Sequence, residues 1–316
     1  MRIAAVQEEA VFADVETNLI HTEELVKLAS SEGAELVLLP EFFTSAIGFA
    51  GKMLDVAAAD ANVHSKLLSW AIKYQVIIGG SYIALESGDA YNLFELVFPD
   101  GQTYSHRKDI PTQFENCYYT NGDQEHMLET PIGRIGVALC WEMIRYDTLR
   151  RMTGKVDFVL AGSCWWDLPE NASKDREPLR KYNQKLAVST PVTFAQLLGV
   201  PVIHASHCGK VTAGRFPDAD MIQTRQLIGA AQIIDRDGEV IARRSFDDGE
   251  GIVICDLNLQ HMSPAAEYFP ERYWIPDLPE SYRNAWDTVN PRAKEYYEQV
   301  ARLYYHSQQT REDLCH

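Results

Sequence analysis

The chain has 316 residues, 46% of them apolar, and a formal charge of −16 at pH 7. It is long enough to bury its own core without staples, and its acidity excludes the basic face that holds nucleic acid phosphates or an anionic membrane. Six cysteines, at 117, 140, 164, 208, 255 and 315, form no Cys-x-x-Cys pair. With no secretory leader read at the N-terminus and no run of roughly 20 apolar residues, the expectation is a cytoplasmic protein with reduced thiols.

Taken in chain order, residues 1–7 read as a first strand, broken by Gln7, Glu8 and Glu9. From Asn18 to Ser30, Leu19, Ile20, Leu25, Val26, Leu28 and Ala29 recur at helical spacing, and Gly33 ends the helix. A buried strand over 34–40 delivers Glu41 directly behind Pro40. A helix over 62–74 and a strand over 76–85 follow. The turn Pro99-Asp100-Gly101 between 92–98 and 102–107 signals a hairpin whose second strand delivers Lys108. Pro131-Ile132-Gly133 then opens a short buried strand over 135–139, which ends abruptly in Cys140-Trp141-Glu142.

In the second half, strands are expected at 157–161, 201–206 and 251–257, and a hairpin at 233–241. Residues 169–189 read as partly helical, with a separate helix at 192–198. From Pro264 the composition shifts toward Tyr, Arg, Glu and Pro, and a helix over 291–305 carries Tyr296, Val300, Leu303 and Tyr304 as an apolar stripe. Helices alternating with strands and interspersed with hairpins predict an α/β sandwich with mixed sheets. The division expected is a domain over 1–260 and a C-terminal arm over 261–316, which packs on the domain or on a partner subunit.

Three reactive side chains thus follow three separate strands. A buried cysteine after an apolar run is ordinarily a small hydrophobe, Glu41 alone is a helix-start carboxylate as readily as a base, and Lys108 alone is a hairpin end. Together they are complementary. A partly desolvated carboxylate can take a thiol proton, and an ammonium favours the thiolate and holds the negative charge that attack creates.

These residues resemble the nitrilase or carbon–nitrogen hydrolase superfamily over about residues 1–258. Leu38-Leu39-Pro40-Glu41 is similar to its general-base motif. His106-Arg107-Lys108 is similar to its lysine motif, with histidine where tyrosine is common. Gly133-Arg134-Ile135-Gly136 followed by Leu139-Cys140-Trp141-Glu142 is similar to its nucleophile motif. Glu115, ahead of the run from Asn116 to Asp123, matches a second glutamate of the family, and 233–242 and Glu250-Gly251 also fit. The resemblance implies a four-layer α-β-β-α sandwich, assembly as a homodimer or higher homo-oligomer, and hydrolysis of a non-peptide carbon–nitrogen bond in a small molecule. It implies Glu41 as base, Cys140 as nucleophile, Lys108 and the Trp141 backbone N–H as stabilisers of the tetrahedral species, and Glu115 as the group that orients Lys108 or the substrate amino group. No metal or organic cofactor is implied.

The family's Glu-Asn pair before the glycine of one helix-to-strand turn is replaced here by Leu197-Leu198-Gly199, and Trp-Glu after the cysteine is closer to the nitrile-cleaving branch. Amide or carbamoyl substrates are favoured, with nitriles as the alternative. Trp165 and Trp166 are the expected pocket wall, with Trp141, Tyr118 and Phe42 as further candidates. Rival readings pair Cys140 with His204 or His207, gather His204, His207 and Cys208 round a zinc ion, pass the acyl group to an amine, or leave a silent binding protein on the same fold. On a strand, histidines three apart face opposite sides, so at most one reaches the site.

Overall fold

The computed structural model describes residues 1–59, 62–122, 125–259 and 269–315, with side chains throughout except at 58–59 and 309–315. The division placed at 260, the shift at Pro264 and the motif residue Asp123 lie outside the described residues. The chain runs β1 (Arg2–Glu8), α1 (Val15–Ser31), β2 (Leu36–Glu41), α2 (Met53–Ala59), α3 (Val63–Tyr74), β3 (Ile77–Glu86), β4 (Asp89–Val97) and β5 (Thr103–Arg107). There follow β6 (Met127–Thr130), β7 (Gly133–Leu139), α4 (Tyr146–Met152), β8 (Phe158–Ser163), β9 (Trp166–Pro169), α5 (Glu177–Leu198) and β10 (Val202–His207). β11 (Lys210–Arg215), β12 (Asp218–Leu227), β13 (Gln232–Ile234), β14 (Val240–Arg243) and β15 (Gly251–Asp256) complete the strands. α6 (Glu280–Tyr296) passes through a π-helical turn over Tyr297–Ala301 into α7 (Arg302–Cys315).

Two mixed leaves result, β5-β4-β3-β2-β1-β15 and β6-β7-β8-β10-β13-β14, joined where β1 meets β10 at Gln7 opposite Ser206 and Glu8 opposite His207. Alternation along the strands explains why they read as unbroken apolar runs: both faces are covered. Ile3, Ala5, Leu36 and Leu38 face Ile135, Val137, Leu160 and Ile203 in the core between the leaves. Ala4, Val6, Val37 and Leu39 turn outward onto Leu25 and Val26 of α1 and Leu67 and Trp70 of α3. On the far side, Ala138, Val159 and Val202 pack on Leu149 of α4 and Phe194 and Leu198 of α5. The result is the four-layer α-β-β-α sandwich, with mixed sheets. Among the described residues no helix is long and apolar enough to cross a membrane.

Several boundaries differ from expectation. Residues 177–198 form one helix with Pro191 inside it; a proline normally breaks a helix, but a face including Leu186, Ala187, Phe194 and Leu198 is buried along its length, and that packing outweighs the lost hydrogen bond. β9, β11 and β12, which form a separate three-stranded sheet, escape the pattern because β12 is exposed over its first half and shows no apolar alternation. In α1, Ile20 and Leu28 are exposed, whereas Asn18 and Thr22 are buried in hydrogen bonds to Thr44 and Glu8.

The C-terminal helix starts at Glu280 rather than near 291, and its buried stripe is one residue out of step with the expected one. Ala293, Tyr297, Ala301 and Tyr305 face inward, while Leu303 is 62% exposed. The Tyr297 hydroxyl donates to Asp89, and the Tyr305 hydroxyl donates to the Tyr118 carbonyl at 2.8 Å. This register is testable by denaturant unfolding. Tyr305→Ala should lower stability by about 3–5 kcal/mol, as loss of a buried aromatic does, whereas Leu303→Ala should change it by less than about 0.5 kcal/mol.

Candidate active site

Glu41, Lys108 and Cys140 arrive at one place because the strands that carry them end together. Glu41 is the last residue of β2, Lys108 follows β5, and Cys140 follows β7. β2 and β7 belong to different leaves, and a missing side chain lets them meet. Gly162 of β8 lies opposite Leu139, and a Cβ there would stand 2.8 Å from the Glu41 backbone nitrogen. Cys140 itself has φ +51°, a left-handed backbone for a non-glycine residue at the first position of a 3-10 turn. Such a conformation stores on the order of 1–3 kcal/mol and persists only where its surroundings impose it.

Lys108 Nζ donates to Glu41 Oε1 at 2.8 Å and to Glu115 Oε2 at 2.7 Å, with all three side chains withdrawn from solvent. Glu41 Oε1 also accepts from Asn92 at 2.9 Å and its Oε2 from the Cys164 N–H at 3.1 Å. Glu115 Oε2 further accepts from the Thr112 N–H at 2.9 Å and from the Tyr119 hydroxyl. Burial pushes Glu41 up to about 7, against the pull of Lys108 and with the help of Glu115. Burial alone would draw the Lys108 ammonium down, but Glu115 and Glu41 together hold it well above its ordinary value. Burial raises the Cys140 thiol well above the ordinary thiol range, and the Glu41 charge raises it further while Lys108 opposes. At rest the site therefore holds a protonated thiol beside a carboxylate poised near neutrality and a fixed cation.

The turn bearing Cys140 is stitched to the segment bearing Lys108. Glu142 Oε2 accepts from the Leu139 N–H at 2.7 Å, and Glu142 Oε1 accepts from the Asp109 N–H at 2.8 Å. Arg145, almost wholly buried, donates to Asp109 at 2.6 Å and to the Trp141 carbonyl at 3.1 Å. Burial would raise Asp109, but His126 and Arg145 hold it far below the carboxylate range. His106 Nδ1 lies 2.7 Å from the Glu125 carbonyl and His126 Nδ1 3.1 Å from that of Val137. His106, His126 and Glu142 are close enough to share an ion, yet their ligand atoms already meet backbone groups, and Arg145 and Arg151 crowd the cluster with positive charge. It reads as a structural brace.

The rival histidines are engaged elsewhere. His204 contacts Ser163 Oγ at 2.9 Å and the Ala230 carbonyl at 3.2 Å, and His207 contacts the carbonyls of Glu41 at 2.9 Å and Glu8 at 3.3 Å. Burial lowers both to about 4, so both are neutral. Neither lines the cavity above Cys140.

That cavity, of about 400 Å³, is lined by Cys140, Glu115, Trp141, Trp165 and Trp166 among others. Glu41 and Lys108 are buried directly behind this surface rather than exposed on it. Trp165 is fixed by a 3.0 Å bond from its indole N–H to Asn183, and Trp166 stacks on Phe114 at 4.5 Å. Phe42 and Tyr118 do not line it. Phe42 is a core residue with its ring 5.9 Å from Tyr119, and the Tyr118 hydroxyl is bound to the Ala50 backbone. Two groups of lining residues were not legible in the sequence. One is Ser281, Tyr282, Ala285 and Val289 of α6, which folds over the opening while Trp286 stacks on Trp141 at 5.9 Å and 11°. The other is Arg176, Arg215 and Arg225. Tyr282 and Trp286, one turn apart at the start of α6, were the available signal for the first; the arginines gave none.

Comparisons with known proteins bear on the family and the fold. The family description "Carbon-nitrogen hydrolase" matches residues 2–267. Nitrilase 1 of Arabidopsis thaliana is 30% identical over 315 residues, covering 88% of this chain and 85% of that protein. The omega-amidase NIT2 of Danio rerio is 26% identical over 275 residues, covering 80% and 87%. In fold, the crystal structure of a carbon-nitrogen hydrolase from Helicobacter pylori G27 superposes with a TM-score of 0.69 at 20% identity, covering 82% of this chain and 89% of that one. The family match spans the strands that end at positions 41, 107 and 139, and the chain is a member of the carbon-nitrogen hydrolase family.

Proposed function

We propose that the protein hydrolyses an amide or carbamoyl carbon–nitrogen bond through a thioester on Cys140. The observation that carries this reading is the Lys108 ammonium held between Glu41 and Glu115 beside a thiol at the floor of a cavity. Glu41, near neutrality, takes the Cys140 proton as sulfur attacks the carbonyl carbon. The oxygen that becomes negative is held by Lys108 and the Trp141 backbone N–H. The C–N bond breaks, the proton on Glu41 passes to the departing nitrogen, and ammonia or an amine leaves. Water then gives a proton to Glu41 and attacks the thioester, releasing the acid and restoring the thiol. Glu115 touches Lys108 and the cavity at once, and so positions the ammonium and meets the substrate nitrogen.

Nitrile hydrolysis is the second reading, favoured by the run Cys140-Trp141-Glu142 and by the 30% identity to a plant nitrilase. Matched amides and nitriles of one acyl chain separate the two, with the larger kcat/KM expected for the amide and the reverse order expected of a nitrilase.

Cys140→Ala should abolish ammonia release and remove the acyl adduct seen by intact mass, with its unfolding transition still cooperative; turnover by that variant would remove Cys140 from the reaction. Glu41→Gln, which leaves the thiol without an acceptor, should slow acylation by about 10²–10⁴-fold. The pH profile offers a separate check. Only the ionised form of Glu41 can accept a proton, and that form is lost as pH falls through about 7. kcat/KM should therefore drop about tenfold per pH unit below about 7, and an acid limb centred near an unperturbed glutamate, about 4.3, would rule Glu41 out as the base.

A further inference from the structure

An ionised carboxylate offers about four lone-pair positions on its two oxygens, and in Glu41 their partners divide unevenly. Oε1 accepts from Lys108 Nζ at 2.8 Å and from Asn92 Nδ2 at 2.9 Å, so both of its positions are taken. Oε2 accepts from the Cys164 N–H at 3.1 Å and keeps one position open among the described residues. A base must present a free lone pair to the proton it removes. The proton of Cys140 therefore has one place to go, and Asn92 helps to decide which.

Asn92 is fully buried inside β4, opposite Ile83 of β3. Its carbonyl accepts from the Lys108 N–H at 2.9 Å, so one residue holds the base by its side chain and the lysine by its backbone. It does not line the cavity, and whatever it does for the reaction passes through those two groups. Its side-chain oxygen adds an independent sign. Asn92 Oδ1 is buried with no donor among the described residues, and an orphaned buried acceptor costs stability. The strand ladder uses the backbone, and Leu93 and Phe94 beside it are buried and apolar. A leucine, branched at the same carbon, would sit there without that cost. Only the N–H end of the amide has a partner, and that partner is Glu41.

From this arrangement, and resting on the thioester reading above, we infer that Asn92 is a positioning residue that directs the Cys140 proton to Oε2 of Glu41 and keeps that carboxylate ionised near neutral pH. In the attack, a sulfur lone pair forms the bond to carbon while the S–H proton moves to Oε2. Oε1 stays on Lys108 and Asn92, so the ammonium keeps its place as charge develops on the substrate oxygen. A donor to the ionised form also opposes the burial that raises Glu41 to about 7. Without that donor the carboxyl would hold its proton to higher pH, and Oε1 would open as a second, misdirected acceptor.

The test is the pH dependence of Cys140 alkylation by iodoacetamide, which needs the same proton removal and no knowledge of the substrate. Peptide mass assigns the label to Cys140 rather than to Cys164, which also lines the cavity. In the wild type the rate should fall along an acid limb centred near the Glu41 value of about 7. Asn92→Leu should move that limb up by ~1–2 pH units, the range for a lost hydrogen bond to a charged group. For any amide the protein hydrolyses, kcat at pH 7 should fall by ~10–100-fold while KM changes by less than about threefold. If the leucine variant does not unfold cooperatively, Asn92→Ala, which vacates the place instead of filling it, carries the same expectation. A limb that stays near 7 in a folded variant, or a loss carried by KM alone, overturns the inference and leaves Cys140 and Glu41 in their roles. If the wild type shows no such limb, or the label does not reach Cys140, the thioester reading falls and this inference falls with it.

Discussion

A single buried ammonium governs the arrangement of this protein. Lys108 has no contact with water, and a lone cation in that position would cost several kcal/mol. Glu41 and Glu115 bring it to tolerable energy, one from each side. Two carboxylates around one cation, however, leave an excess of negative charge, and this excess together with burial raises Glu41 toward neutrality and keeps the Cys140 thiol protonated. The same pair of carboxylates that makes the lysine tolerable thus holds the sulfur in its protonated form.

Holding three groups at strand ends requires the surrounding structure to be rigid, and the sequence supplies that rigidity locally. Gly162 leaves room for the Glu41 backbone against the other leaf, where a Cβ would stand 2.8 Å from its nitrogen. Glu142, one turn past Cys140, bonds both the strand end before the cysteine and the residue after Lys108. Arg145 and Asp109 close the same loop from outside, and His106 and His126 fill the space behind it. With so many backbone groups fixed, the left-handed conformation of Cys140 has no alternative to relax into.

The central strands and their terminal residues were legible because burial on both faces writes an uninterrupted apolar run, and because Glu41, Lys108 and Cys140 break those runs abruptly. The hairpin at Asp100-Gly101 was legible for the same local reason. What escaped depended on partners. Pro191 looked like a boundary because its neighbours' packing against β8 and β10 is not visible along the chain. The C-terminal stripe was displaced by one residue because the inward face already runs through Ala293 and Tyr297, with an alanine where an apolar side chain would have marked it, while Val300 and Leu303 are apolar without being buried. Phe42 and Tyr118 had the right chemistry for a cavity wall and the wrong direction, one locked at a positive φ beside Tyr119 and the other tied to Ala50. The arginines gave no local signal at all, since 176, 215 and 225 converge only once β11 and β12 fold against β9.

The opening of the cavity is covered by α6. Residues 281–289 lie beyond position 267, the last residue matched by the carbon-nitrogen hydrolase family description. Glu41, Lys108 and Cys140 lie within the matched stretch, while part of the cavity's opening is contributed by a segment outside it. A substitution on that helix can therefore reshape the mouth of the cavity without touching the strand ends that carry Glu41, Lys108 and Cys140.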